Sequence, residues 1–510
     1  MAFSTQHTAL AENPFVIMND PPAPARAARG LGGPSSLIPK IPLQDGEQYR
    51  FHFDMSKCIG CKCCEVACAE QNNNPAHVSW RRVGEVEGGV FPHTQRLHLS
   101  MGCNHCLDPA CMTGCPTQAY HKDQETGIVL HDAEICIGCE YCIWNCPYGV
   151  PVFNEERGVV GKCDMCHGRL KEGDKPACVN ACPSEAISIE IVNIEEWKRK
   201  YAEEANAPGL PSAHETISTT RITLPAYMPL DTEKADYHRV KPEKPHWSLV
   251  AMTVVTQLSA GAVAAAWLLS LLSGTEVRVA ATAALALGLL SFAVSPLHLG
   301  RPALAPLAIR NWRTSWLSRE VLALTSFGAA TSVYAAALWL APPLSAWLGA
   351  AAVSFGVCGV YASARIYLVP GRPAWNSGHT IAEFFLTAAT LGPLLLSAIG
   401  VRPDLLPIVA AAAAIAQIVN QVWKFLRLIR SEDFEEQASA RLLSSDLARL
   451  FLLRLALLAF GGAALPLTGY VLLGFAAAFA GEILGRYLFF VSVVPKNMAM
   501  TFFGQQREAA

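Results

Sequence analysis

The sequence predicts two folds in one chain: an α+β domain of duplicated cysteine-loop units, then an all-α bundle of eight transmembrane helices. Three observations carry this. Seventeen of the eighteen cysteines in the 510 residues fall between Cys58 and Cys182, sixteen of them in four groups of four. Short alternating strands separate the cysteine loops. From residue 247 onward, eight apolar runs follow one another, each near the length needed to cross a bilayer.

Residues 1–46, rich in Pro, Ala and Gly, read as a flexible arm whose functional role would be to wrap a partner subunit. The arm shows no continuous apolar export segment, and Arg26 and Arg29 are too separated for a twin-arginine signal.

Residues 47–192 form the cysteine domain. It opens on the alternating strand Tyr49–Asp54; further strands are expected at 128–131, before the third cysteine group, and at 187–191, after the fourth. The groups are Cys58, Cys61, Cys64, Cys68; Cys103, Cys106, Cys111, Cys115; Cys136, Cys139, Cys142, Cys146; and Cys163, Cys166, Cys178, Cys182. The first and third have the C-x2-C-x2-C-x3-C spacing of bacterial ferredoxins, and the last three end in Cys-Pro. Thiolates three apart wrap three corners of one cubane cluster, while the fourth points away to a neighbouring cluster. The expectation is a duplicated ferredoxin-like domain with four [4Fe-4S] clusters. Disulfides suit a small secreted scaffold, and structural zinc takes two separated pairs; three-plus-one spacing repeated four times suits neither. The string from Cys163 to His167 mimics a haem-attachment motif, but Cys178 and Cys182 complete a four-ligand group from it. Cys63 and Cys358 stand outside the scheme.

Residues 193–246 read as a polar linker, 247–495 as the membrane anchor and 496–510 as a tail. The spans are expected near 248–273, 279–299, 320–341, 345–368, 380–400, 405–425, 450–468 and 471–494. A formal net charge of −2 gives no basic signature for nucleic acid. Loops on one side, with the tail, carry thirteen Lys or Arg, from Arg301 to Arg507; the other side carries Arg278 and Arg402. By the positive-inside rule the chain is a multi-pass protein of the cytoplasmic membrane, with both termini and the cysteine domain cytoplasmic.

Both halves resemble one respiratory family, the dimethyl sulfoxide reductase-type complexes. The first half is similar to their electron-transfer subunit through Tyr49–Cys68, Val78–Val83 with Glu87–Gly89, and Cys103–Cys111. The second is similar to their anchor subunit through His298–Pro302, Ser315–Glu320, Arg372–Asn376 and Gly485–Phe489. The resemblance implies that the cysteine groups exchange their fourth ligands: Cys58, Cys61 and Cys64 with Cys182; Cys163, Cys166 and Cys178 with Cys68; Cys103, Cys106 and Cys111 with Cys146; Cys136, Cys139 and Cys142 with Cys115. Cys111 stands where nitrate-reducing relatives have Trp and a three-iron cluster, which favours four irons here. A separate molybdopterin catalytic subunit is implied as partner, since this chain has no domain for that cofactor.

His298 ends the second span and Glu320 opens the third, on the face expected to be cytoplasmic. The family's quinone site maps onto this stretch. His298 and Glu320 are the expected proton-handling residues, with Gly300, Arg301 and Ser318 in support. Leu304 replaces an arginine that relatives carry two positions after the proline. The bland readings are a histidine satisfied by backbone, and a Glu320 at a helix start capped by Ser318. Glu482 and Arg486 are expected to pair at helical spacing. No haem is expected. The expected function is electron transfer between the molybdenum partner and quinone, menaquinone or ubiquinone, in the membrane lipid. A cytoplasm-facing member is similar to sulfite-oxidising complexes; the alternatives are a reductase of dimethyl sulfoxide, N-oxides or sulfur oxyanions, or a redox-linked ion transporter.

Overall fold

The computed structural model describes residues 37–204, 216–229, 232–235 and 240–497; most of the expected arm and tail lie outside the described residues. The protein folds as two units, one up to Arg239 together with Lys496 onward, the other Val240–Pro495.

The first unit is organised on β1 (Glu47–Asp54). Its alternation turns Phe51 and Phe53 into the core, where they are 3% and 1% exposed. β8 (Ile187–Asn193) pairs antiparallel to β1, with Phe51 opposite Ile189. β9 (Arg221–Thr223) pairs parallel on the other edge. β2 (Arg82–Gly88) and β3 (Gln95–Met101) form a hairpin joined by β10 (Glu233–Lys234). Two further hairpins, β4 (Tyr120–Lys122) with β5 (Val129–His131) and β6 (Val152–Asn154) with β7 (Val159–Gly161), flank the third cysteine group.

Of residues 193–246, expected as a linker, 193–204, 216–229 and 232–235 belong to this fold. The helix Ile194–Glu204 buries Trp197 and Tyr201 against β1 and β8, and Trp197 Nε1 donates to the Ser218 carbonyl at 2.7 Å. Among the helix's described side chains, Trp197 and Tyr201 are the buried ones, so its sequence reads as polar. Glu190 on β8 is buried beside three basic side chains: Arg50 at 3.1 Å, His52 at 3.1 Å and Arg221. Leu37 and Ile38 pack on the same core, so the end of the expected arm is docked.

The second unit contains eight helices long and apolar enough to cross a membrane: 247–273, 278–298, 316–340, 342–366, 378–398, 406–430, 448–467 and 471–491. All eight expected spans are present. The seventh winds through a π-helical stretch, Leu458–Ala464, before Pro466. Spans one and five pack backbone to backbone. A Cβ on Gly261 would stand 2.0 Å from the Ala388 carbonyl oxygen, and one on Gly392 would stand 2.2 Å from the Gly261 carbonyl carbon. Small residues permit this approach, which is how membrane helices gain contact without a hydrophobic drive.

Two of the motifs that carry the resemblance meet each other. Trp375 stacks on Phe489 at 5.1 Å and donates its indole N–H to the Phe489 carbonyl at 2.8 Å. The loop before span five is thereby fastened to the end of span eight.

Candidate redox sites

Each cysteine loop makes the same turn. The residue before the second cysteine has a left-handed backbone in all four: Gly60, His105, Gly138 and Met165, with φ of 69°, 43°, 68° and 58°. Glycine adopts this freely, whereas His and Met do so against steric resistance. The turn aims backbone N–H groups at sulfur. His105 and Met165 donate to Cys103 and Cys163 Sγ, each at 3.4 Å. At the fourth cysteines of the second and fourth groups, Ala119 and Ala186 donate to Cys115 and Cys182 Sγ, each at 3.3 Å. Such donors favour thiolate over thiol.

The thiols regroup across the sequence. Cys58 feels the charge of Cys182. Cys68 feels Cys178 and Cys166, and Cys163 feels Cys68. Cys106 and Cys111 both feel Cys103 and Cys146. Cys139 and Cys142 both feel Cys136 and Cys115. The fourth cysteine of each group thus lies within electrostatic reach of at least one thiol of another group. One cavity is lined by Cys103, Cys106, Cys111 and Cys146, with Lys162 and Tyr148. Among the described residues no three such side chains are placed to grip a single metal ion. Thiols arranged around a cavity suit a body several atoms across better than zinc.

Burial pushes Cys68 up to about 12 and Cys146 up to about 11. A set of thiolates in this interior therefore needs compensating positive charge. Bound iron would supply it, and two buried cations stand ready to add to it: Arg81 and Lys162, 2% and 3% exposed. Neither stood out from the sequence, because nothing local marks a basic side chain as turning inward.

In the membrane unit, His298 ends a 3-10 turn, Ser295–His298, and donates Nδ1–H to the Ser295 carbonyl. The turn Leu299–Arg301 then leads into a second 3-10 stretch, Pro302–Ile309. Ser318 is buried and donates its hydroxyl to the Ala308 carbonyl at 2.6 Å, tying that stretch to the third span. The cap of this span is Ser315, whose hydroxyl accepts from the Ser318 N–H, so the bland reading of Ser318 as the cap does not hold. The helix starts one turn earlier than the apolar run, because Trp316 and Ser318 carry it through Arg319. Glu320 is 8% exposed and accepts from the Ser363 hydroxyl on the fourth span. No hydrogen bond joins His298 to Glu320 among the described residues. His246, just ahead of the first span, stands within electrostatic reach of His298, and burial lowers its own pKa. The sequence reading missed Ser363 and His246 as neighbours; both are brought in by helix packing from distant segments.

Glu482 does not pair with Arg486 as expected. It accepts from the Thr387 hydroxyl at 2.9 Å and faces Arg454 at 3.8 Å. Arg454 in turn holds Glu383 at 2.9 Å, and Lys424 lies 3.7 Å from Glu383. Arg486 instead donates to Gln257 at 2.9 Å and lies over the Phe384 ring at 3.8 Å. These five charges come from spans five to eight, each within ten residues of the same membrane end.

Comparison with known proteins divides the sequence at the same place as the fold. Residues 94–191 match a 4Fe-4S dicluster domain, and residues 242–491 match the DMSO reductase anchor subunit (DmsC). The first half is 43% identical over 177 residues to one chain of the anaerobic dimethyl sulfoxide reductase of Escherichia coli K12, covering 33% of this protein and 85% of that one. It is 38% identical over 155 residues to a subunit of the sulfite dehydrogenase of Allochromatium vinosum, covering 26% and 65%. It is 39% identical over 151 residues to the iron–sulfur subunit of the nitrate-inducible formate dehydrogenase of E. coli K12, covering 26% and 51%.

Proposed function

The protein belongs to the dimethyl sulfoxide reductase family, as an iron–sulfur electron-transfer subunit and its membrane anchor in one polypeptide, and we propose that it joins a separate molybdopterin subunit to membrane quinone. The observation that carries the reading is that fourth cysteines lie beside thiols of another group, Cys182 by Cys58, Cys68 by Cys178, Cys146 by Cys111 and Cys115 by Cys142, which supports four sets of three plus one.

Each set holds one [4Fe-4S] cluster in this reading, and the clusters supply one-electron transfer along the domain. The protein's part is to fix the thiolates, direct N–H donors at them and exclude water. At the membrane end, the quinone exchanges two electrons and two protons. His298 is the proton acceptor for quinol, or donor to quinone, through its free Nε2, with Nδ1 held by Ser295. Glu320, positioned by Ser363, is the second proton stop; Gly300, Arg301 and Ser318 shape the turn beside it. The positive-inside bias supports a cytoplasmic cluster domain and catalytic partner, and with it sulfite oxidation as the partner's reaction. The 43% identity to a dimethyl sulfoxide reductase favours the second reading, a reductase fed by quinol.

The test is a redox titration by electron paramagnetic resonance on membranes holding the complex, wild type against His298→Ala. Four reducible clusters are expected, with exchange between clusters and quinol slowed about 10²–10⁴-fold in the variant. Fewer clusters in wild type would overturn the ligand sets. Unaltered quinol exchange in the variant would remove His298 from the quinone site. Reduction by sulfite, with none by quinol, supports the oxidising direction; the converse supports the reductase.

A further inference from the structure

We infer that Arg81 sets the reduction potential of one pair of clusters, those held by Cys58, Cys61, Cys64 and Cys182 and by Cys163, Cys166, Cys178 and Cys68. The inference rests on the ligand sets proposed above. Arg81 follows the loop after the first cysteine helix, Cys63–Gln71, and turns into the centre of the domain rather than to water. Its guanidinium lies within electrostatic reach of Cys178, Cys163, Cys64 and Cys68, thiols drawn from both sets.

Its orientation is fixed on three sides. Nη1 donates to the Ser100 hydroxyl at 3.2 Å and lies 3.4 Å from the Ser100 carbonyl oxygen. The Ser100 hydroxyl is itself 3.4 Å from Cys64 Sγ. The guanidinium plane sits over the Phe51 ring at 4.5 Å. The remaining donors, Nε and Nη2, are buried without a hydrogen-bond acceptor among the described residues; the Glu65 carboxylate lies within electrostatic reach but accepts from the Val83 N–H. A Cβ on Gly102 would lie 3.2 Å from Arg81 Nη2 and 3.6 Å from Cys163 Sγ. The backbone is therefore bare at the point that the guanidinium and a ligand sulfur both approach.

A guanidinium stays charged inside proteins, and a buried, uncompensated cation is strongly unfavourable. Two N–H donors without acceptors and a full charge within electrostatic reach of four thiols are compensated when those thiols carry a cluster whose net charge is negative. Reduction adds one electron to that cluster, so the fixed cation stabilises the reduced form more and raises the potential. Net charge and hydrogen bonds to sulfur are general determinants of cluster potential. Lys162 does not play the same part for the other sets in this way, since its Nζ already donates to the Val129 and Cys163 carbonyls.

The test uses the full chain in its membrane complex, with potentials read by electron paramagnetic resonance and iron measured separately. In Arg81→Met, two of the four clusters are expected to become harder to reduce by tenfold or more, about 59 mV for a one-electron couple. The other two keep their potentials, iron content is unchanged, and Arg81→Lys restores most of the shift. Unchanged potentials with full iron would overturn the inference and leave Arg81 a packing residue. Should Arg81→Met lose iron, Ser100→Ala serves in its place: it frees Nη1 while keeping the charge, and a shift confined to the same two clusters is expected. Full iron with no shift in Ser100→Ala then overturns it. A wild type with fewer than four clusters would sink the ligand sets themselves, a different result from four clusters with unmoved potentials.

Discussion

Replacing Glu383 by Gln should damage the membrane unit more than removing the arginine that binds it. Lys424, Arg454 and Arg486 stand within electrostatic reach of Glu383 and Glu482, so these five groups sum to one net positive charge. Glu383 is its hub, 2.9 Å from Arg454 and 3.7 Å from Lys424. At an effective dielectric near 20, these separations correspond to about 6 and about 4 kcal/mol before desolvation is subtracted. Breaking a buried pair and leaving its partner uncompensated costs about 3–5 kcal/mol. Glu383→Gln leaves three cations with one carboxylate. Arg454→Met leaves two with two, and should cost about 1–3 kcal/mol, the loss of a charged hydrogen bond. The double variant has the wild type's net charge and should recover about 0.5–3 kcal/mol relative to additivity. Thermal unfolding of the purified protein in detergent reads this out. A loss of 3–5 kcal/mol corresponds to roughly 6–20 °C in a unit of this size. If Arg454→Met is the worse variant, or if Glu383→Gln costs only the ~0.6 kcal/mol of an average membrane hydrogen bond, the electrostatic argument fails.

Cys115→Ala should abolish the cluster of Cys136, Cys139 and Cys142 and spare that of Cys103, Cys106 and Cys111, as counted by iron content and paramagnetic signals; the reverse pattern would refute the exchange of fourth ligands. Glu190→Gln should destabilise the first unit by about 3–5 kcal/mol near neutral pH, because it strands Arg50 and Arg221. Burial alone would raise the Glu190 carboxyl, but His52, Arg221 and Arg50 hold it well below the usual carboxylate range. Its contribution is therefore present above the unfolded value near pH ~4.3 and fades as pH falls through the lower folded value, so the gap between wild type and variant should close in acid. Gly261→Val should separate spans one and five, since its side chain would meet the Ala388 carbonyl, and the folded fraction recovered from membranes should fall sharply.

The contrast between the two carboxylates of the bundle shows where sequence reasoning reaches its end. Glu482 and Arg486 have the spacing for a pair along one helix, and that pair did not form. Arg454, buried in the seventh span and 71 positions from Glu383, is the cation both carboxylates use. Helical spacing says which side chains can meet on one helix; it does not say what a neighbouring helix offers instead. The same limit hid Trp197 and Tyr201, whose helix reads as a polar linker until β1 and β8 supply a surface to cover.

The sequence by itself determined the cysteine loops, the strands that separate them and the eight spans. Those features are local: a loop that presents thiolates three apart closes on itself, and a helix must be long and apolar enough to suit a bilayer whatever lies beside it. Only the tertiary structure decided which thiols stand together, that Arg81 turns its charge into them, that Ser363 and His246 sit beside Glu320 and His298, and which arginine neutralises which carboxylate. Each of those depends on segments tens to hundreds of residues apart being packed into contact, and in the interior, where charge is costly, packing rather than spacing chooses the partner.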